Sequence, residues 1–364
     1  MANRIIDAYA QVYDNLRRHD ARFPEPSYLR SISVLGQRGY GMSDVGAGRS
    51  SPGSSLLIRV VDEPDTRPVW FLCWGGCNTA AQALWEVRQN RSAAELERFV
   101  SKLRVYDVLG QDNAGTWIAK TFPKLLYIRA TGVYGWQPSD GWLDSHVQNH
   151  GPLGAVYPDR KWATEGDTPS FLHVIANGLN DPDQVAQGGW GGRFDPVKKR
   201  GIRGMSCMQG EDAVYDPYEM YGNSSEGAGA ISRWRPAYDN DFAARMDWTV
   251  TSEYSQANHH PRAVVNGDDS KRVLYLTAAA GSTVTLNAEG SSDPDGDALT
   301  YGWSYYREAS DYDGTVSISG ANAVVANVNV PAYARGRSLH VILTVRDDGA
   351  PNLYAYRRVV ITVQ

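Results

Sequence analysis

Cysteine is scarce in this sequence. Three residues in 364, Cys73, Cys77 and Cys207, are too few for a disulfide framework. Neither a C-x-x-C pair nor an H-E-x-x-H stretch is present to hold zinc. Cys73 and Cys77 flank a glycine turn after an apolar run, the setting of small buried side chains. Long hydrophobic runs are missing too. The longest wholly apolar one, Val69 to Trp74, falls far short of the roughly 20 residues of a membrane helix, which excludes a membrane partner of that kind. No apolar segment of signal-peptide type follows Met1-Ala2-Asn3-Arg4. No run of Lys or Arg longer than three residues breaks the balance of 36 basic and 41 acidic residues, net −5, so no nucleic-acid footprint is expected. Ser-His-Asp catalysis has no G-x-S-x-G elbow to start from.

Aromatics are plentiful instead, with 11 Trp and 21 Tyr. Ten of the Trp precede residue 262, many beside Gly, Pro, Asn or Asp. Aromatics in loops can stack on flat ligands and sugars, or fill the core of a loop-rich domain, and both readings stay open. A hydrophobic content of 42% with 21% charged residues is ordinary globular composition. At roughly 150 residues per domain, the length predicts two domains.

The helical spacing of Ile5, Ile6, Tyr9, Val12, Tyr13 and Leu16 predicts an opening amphipathic helix. A Pro/Gly/Ser-rich stretch and a short helix near Ser54 to Val61 follow. Val69 to Trp74 reads as a buried strand ending in Gly75-Gly76, with Asn78 the N-cap of a helix to Arg88. Helix 93–103, strand 104–109, helix 114–121 and strand 124–129 come next, and this alternation predicts an α/β fold with a mostly parallel sheet flanked by helices. Between Gly132 and Tyr254 the pattern loosens around one helix, Pro169 to Asn177. Beyond Asn258-His259-His260-Pro261 come short alternating strands (283–288, 299–306, 324–330, 339–346, 358–363), expected as an immunoglobulin-like β-sandwich without a core disulfide. The expected domains are 1–257 and 263–364.

Ligands of open α/β sheets bind beyond the carboxyl ends of the strands. The loops Gly75 to Thr79 and Gly110 to Asn113 are therefore expected to converge, bringing Asn78, Asp112 and Asn113 together. Asn78 and Asp112 are also placed to cap helices, and the two roles are compatible. In Glu165-Gly166-Asp167-Thr168-Pro169, Thr168 is the expected N-cap, leaving Asp167 either as a cation ligand or general base, or as a charge favoured by the helix dipole. Gly188 to Arg193 lacks the Lys-Ser/Thr ending of a phosphate loop; it is either a mobile loop presenting Trp190 and Arg193 or a plain turn. His259 and His260 read as linker residues. Asp293, Asp295 and Asp297 suit a tight turn, with a cation as the alternative.

The segment Val69-Trp70-Phe71-Leu72-Cys73-Trp74-Gly75-Gly76-Cys77-Asn78-Thr79-Ala80 resembles the strand, turn and helix of nucleoside hydrolase-like proteins. Ser101 to Asn113, Ile128 to Pro138, Thr164 to Phe171 and Gly188 to Phe194 resemble the secreted branch of that family labelled cellulose-binding. The tail, Asp293 to Asp297 followed by Leu299, Tyr301 and Trp303, is similar to PKD-type sandwich domains.

That resemblance implies a nucleoside hydrolase-like domain and hydrolysis of N-glycosidic or related bonds with bound Ca²⁺. Asp167 would ligate the calcium, and Asp112 with Asp167 would be the catalytic carboxylates. Asn78, Asn113, Glu165, Trp190 and Arg193 would hold a nucleoside, sugar or polysaccharide. Gly166 stands where such hydrolases commonly carry His. Their D-x-D-x-x-x-D-D cluster does not precede the first helix, so the resemblance implies a chain without its first strand and catalytically incomplete. The branch's extracellular or periplasmic location is implied likewise. The alternative function is non-catalytic binding of carbohydrate, cellulose in particular, through Trp136, Trp142 and Trp190.

Overall fold

The computed structural model describes residues 2–159, 166–197 and 220–364. Glu165 and Cys207 lie outside the described residues. In chain order, helices α1 (Ala2–His19), α2 (Pro26–Ile32) and α3 (Pro52–Asp62) precede strand β1 (Val69–Cys73). Then come α4 (Asn78–Asn90), α5 (Ala93–Lys102), β2 (Leu103–Val108), α6 (Asn113–Thr121) and β3 (Leu126–Ala130). The looser stretch holds the short helices α7 (Asp140–Leu143), α8 (Gly151–Gly154) and α9 (Thr168–Leu172), followed by β4 (Phe194–Val197) and β5 (Met220–Asn223). Helices α10 (Gly229–Ser232) and α11 (Arg235–Val250) close the α/β part.

Local chemistry sets these boundaries. Ser51 accepts from the Ser54 N–H while Ser54 Oγ accepts from the Ser51 N–H, with Pro52 in the first turn. Ser92 and Glu95 repeat that capping box at α5; each such cap is worth about 1 kcal/mol. The α1 stripe of Tyr9, Val12, Tyr13 and Leu16 packs on Trp248 of α11.

The sheet runs β1-β2-β3-β5-β4, parallel except for the antiparallel β4. Among the described strands β1 stands at an edge, and Val69 to Leu72 are only half-buried. The fully buried run is Val105 to Val108 of β2, flanked on both sides by partners. An apolar run by itself does not separate edge from centre.

The C-terminal part is all-β. A four-stranded sheet, β6 (Leu274–Ala278), β12 (Tyr354–Val363), β11 (Ser338–Arg346) and β8 (Thr300–Tyr305), faces a three-stranded one of β7 (Thr283–Asn287), β10 (Val325–Asn329) and β9 (Ser317–Ser319). Their inward side chains form one cluster that includes Leu286, Trp303, Val328, Val341, Leu343 and Ile361.

The two parts share a core. Trp136, Leu172, Leu179, Trp190 and Tyr238 pack against Tyr306, Ile342 and Tyr356 of the β part. The backbones join too: Tyr356 N–H donates to Asn177 O at 3.1 Å and Arg358 N–H to Gly178 O at 3.1 Å. Gly178 has φ +88, and a Cβ there would fall 1.9 Å from Tyr356 O, so the junction requires glycine.

Candidate functional site

The ends of β1 and β2 do converge. Asn78 Nδ2 donates to Gly39 O at 2.6 Å, and Asn113 Oδ1 accepts the Met42 N–H at 2.8 Å. The chain's own segment 39–42 thus engages both amides. Asp112 caps α6, its Oδ1 accepting from Ala114 N–H at 3.1 Å and Gly115 N–H at 3.3 Å. Its Oδ2 is sealed against Gly76, where a Cβ would lie 2.2 Å away. Burial pushes this carboxyl up, the Cys77 backbone N–H opposes the rise, and the neighbouring Asp107 charge adds to it. Asp107 itself is locked beneath the loop, with Oδ2 accepting from Arg129 Nε at 2.9 Å and Tyr127 OH at 2.6 Å.

Several expected placements change. Cys77, not Asn78, occupies the N-cap of α4, because Asn78 is already helical and its side chain turns to Gly39. At α9 the N-cap is Asp167 rather than Thr168, although no side-chain capping bond forms, and the helix stops at Leu172. Trp190 is 1% exposed within the shared core, so no ring face is open to a ligand. Arg193 is buried and paired with Glu226 (2.6 Å) and Asp195 (3.2 Å). Trp136 is buried beside Tyr238, and Trp142 packs against His146 and Phe242. His259 and His260 are more than linker: His259 joins His19 (2.9 Å) to Asp295, and His260 contacts Asp241 at 2.5 Å. Cys73 and Cys77 are buried free thiols, as expected, with Sγ atoms 2.6 Å apart.

The open chemistry at the strand ends is aromatic and was not singled out from the sequence. Trp74, the residue after β1, is 53% exposed, and its indole N–H donates to Ser170 Oγ at 2.6 Å. Ser170 Oγ in turn donates to Asp167 O at 2.7 Å, fixing the indole on the first turn of α9. Phe171, exposed on the same turn, stands 6.4 Å from Trp74 between ring centres. Tyr134, exposed after β3, borders that turn at Gly166. The signal was a Trp ending an apolar run directly before Gly-Gly, which puts an aromatic at the mouth of the sheet.

Calcium prefers six to eight oxygen ligands. Among the described residues the only group of three candidate ligands is Asp293, Asp295 and Asp297, in the β part. Asp167 belongs to no such group among the described residues.

The comparisons agree with this architecture. The model for cellulose-binding Sde182, nucleoside hydrolase-like domain, matches residues 1–194, and that for the C-terminal domain of cellulose-binding protein Sde0182 matches 283–363. The chain belongs to the Sde182 nucleoside hydrolase-like family. A solved structure from Saccharophagus degradans, described as a nucleoside hydrolase-related hypothetical protein associated with carbohydrate metabolism, is 62% identical. It covers all of this chain and 87% of its own, at a TM-score of 0.95. A PKD domain (22% identity, 30% of this chain and 92% of that one) and a human CDH23 fragment (14%, 42% and 39%) match at TM-scores of 0.21 and 0.23. No curated protein matches the chain. No helix among the described residues is long and apolar enough to cross a membrane.

Proposed function

We propose that this chain is a polysaccharide-binding protein that docks β-glucan, cellulose in particular, on the aromatic surface formed by Trp74, Phe171 and Tyr134. The observation that carries the reading is the exposed Trp74 indole, held in one orientation by Ser170. A fixed aromatic face offers a sugar ring a large apolar contact with little side-chain entropy to lose. The cellulose-binding names of the family models support the same ligand class. Such a polymer lies outside the cytoplasm, so an extracellular or periplasmic site of action goes with the proposal.

Retention on microcrystalline cellulose tests it. Stacking is not electrostatic, so retention should persist at 1 M salt and fall at least tenfold in Trp74→Ala, with smaller losses in Phe171→Ala and Tyr134→Ala. Equal retention of all three variants would sink the proposal.

One observation favours a second reading, a glycosidic-bond hydrolase at the strand-end crevice. Asp112 lies in that crevice with its carboxyl pushed up by burial, a property of a general acid. Release of sugar or base from nucleosides and aryl glycosides, lost in Asp112→Asn, would support it. No turnover above the background of that variant leaves binding alone.

A further inference from the structure

We propose that Cys73 and Cys77 are joined by a disulfide when the chain folds in an oxidising compartment, closing the short loop that carries Trp74. The inference stands apart from glucan binding, and its test uses no glucan.

The fold brings the two thiols together. Cys73 is the last residue of β1 and Cys77 the N-cap of α4, so the chain turns between them at Gly75-Gly76. Gly76 is pressed against Asp112, where a Cβ would lie 2.2 Å from Oδ2, and the Cys77 N–H donates to the same carboxylate. That pins the path of the turn. Both side chains point beneath it into the core with Ala80, Ala114 and Tyr127, Cys73 at 2% exposure and Cys77 at 1%.

The Sγ atoms lie 2.6 Å apart. Unbonded heavy atoms settle about 3.5–4 Å from one another, whereas bonded sulfurs lie about 2.05 Å apart. Two thiols sealed at the shorter range are relieved by exchanging their S–H bonds for one S–S bond. Neither sulfur belongs to a group of three metal-ligand side chains among the described residues. The other polar neighbour of Cys77 Sγ is Tyr127 OH, at 3.8 Å.

The oxidant is a small-molecule or protein disulfide of the kind that oxidising compartments supply. One cysteine loses its proton to water and attacks a sulfur of that disulfide, forming a mixed disulfide and releasing one thiol of the oxidant. The second cysteine then displaces the remaining oxidant sulfur, which leaves as a thiol. Two S–H bonds are lost, one S–S bond forms, and the oxidant is reduced to two thiols. Only the thiolate attacks. Burial pushes both thiols up; their mutual contact lowers Cys73 and raises Cys77, and the Asp107 charge raises both. Exchange is therefore fast while the turn is still open during folding and slow once it is sealed. The closed loop holds the backbone at Trp74, as Ser170 holds its indole.

The test uses the full chain carrying Cys207→Ser, which leaves this pair alone, produced in the bacterial periplasm. The soluble protein is denatured and treated with iodoacetamide before or after dithiothreitol. We expect no label before reduction and two after it, with the tryptic segment that holds both cysteines about 2 Da lighter in the unreduced digest. Dithiothreitol should open the bond at least tenfold more slowly in the native chain than in guanidinium. Adding Cys77→Ser should give one label under either condition. Two labels before reduction overturn the proposal, and so does a bond that links two chains instead of this pair.

Discussion

Trp74 is anchored by Ser170: the indole N–H donates to the serine Oγ at 2.6 Å while the ring stays half open to solvent. The bond sets the direction in which the ring faces. Ser170→Ala removes that anchor and leaves the ring in place. A hydrogen bond of about 1 kcal/mol corresponds to roughly a fivefold weakening of cellulose binding. The loss should be smaller than in Trp74→Ala, and depletion isotherms on cellulose measure both. A Ser170→Ala isotherm superposing on the wild type would show that the anchor has no part in binding.

Arg129 and Asp107 form an ion pair at 2.9 Å with both side chains sealed beneath the strand-end loops. Arg129→Met leaves Asp107 charged, buried and short of its cation, which should cost about 3–5 kcal/mol. Replacing both, Arg129→Met with Asp107→Leu, should recover part of that loss, because no unpaired charge remains. Urea midpoints of the three proteins decide; a double variant less stable than the single one contradicts this account.

Much of the framework was legible in the sequence. Strands β1, β2 and β3 and the helices between them follow from apolar runs broken by caps, and Asp112 caps α6 as its position predicts. Five β-part strands fall where alternation puts them. Several elements escaped, β4 and β5 of the α/β sheet among them. Helix α11 turns Tyr238, Met246 and Trp248 toward three different clusters, so it carries no single apolar stripe. Strands β6 and β9 are short and half exposed. At the site, aromatic content was visible but burial was not. Trp136 and Trp190 serve the core, whereas Trp74 sits in a run that reads as buried strand. Which ring faces water depends on the long-range contact between the two parts, and no local pattern encodes that.

Trp190 tests this distinction directly. It is 1% exposed, edge-on to Tyr238 and Tyr356. Trp190→Ala should cost about 3–5 kcal/mol through the cavity it leaves between the two parts. The folded fraction should keep its affinity for cellulose. Loss of binding with an unchanged urea midpoint would reverse that assignment and restore Trp190 as a ligand contact.

Acid sensitivity follows from two buried imidazoles. His173 Nε2 bonds Pro182 O at 2.9 Å and so carries the proton, while Nδ1 is buried without an acceptor. Burial pushes this histidine down to about 4. His340 Nδ1 accepts from Arg358 Nη1 at 2.8 Å, and burial, with the arginine charge beside it, takes it down to about 3. In the unfolded chain both titrate near 6.5. Below that value the unfolded state binds protons that the native state refuses, so stability falls as pH drops from about 6.5 toward 4 and is flat above. For His173 the full loss is on the order of 3 kcal/mol. His173→Phe keeps an aromatic ring among Trp70, Tyr106 and Phe194 and removes the titrating nitrogen. Urea midpoints between pH 4.5 and 7 should therefore drop less steeply in His173→Phe than in the wild type. Parallel pH profiles would show that His173 titrates alike in the folded and unfolded chains.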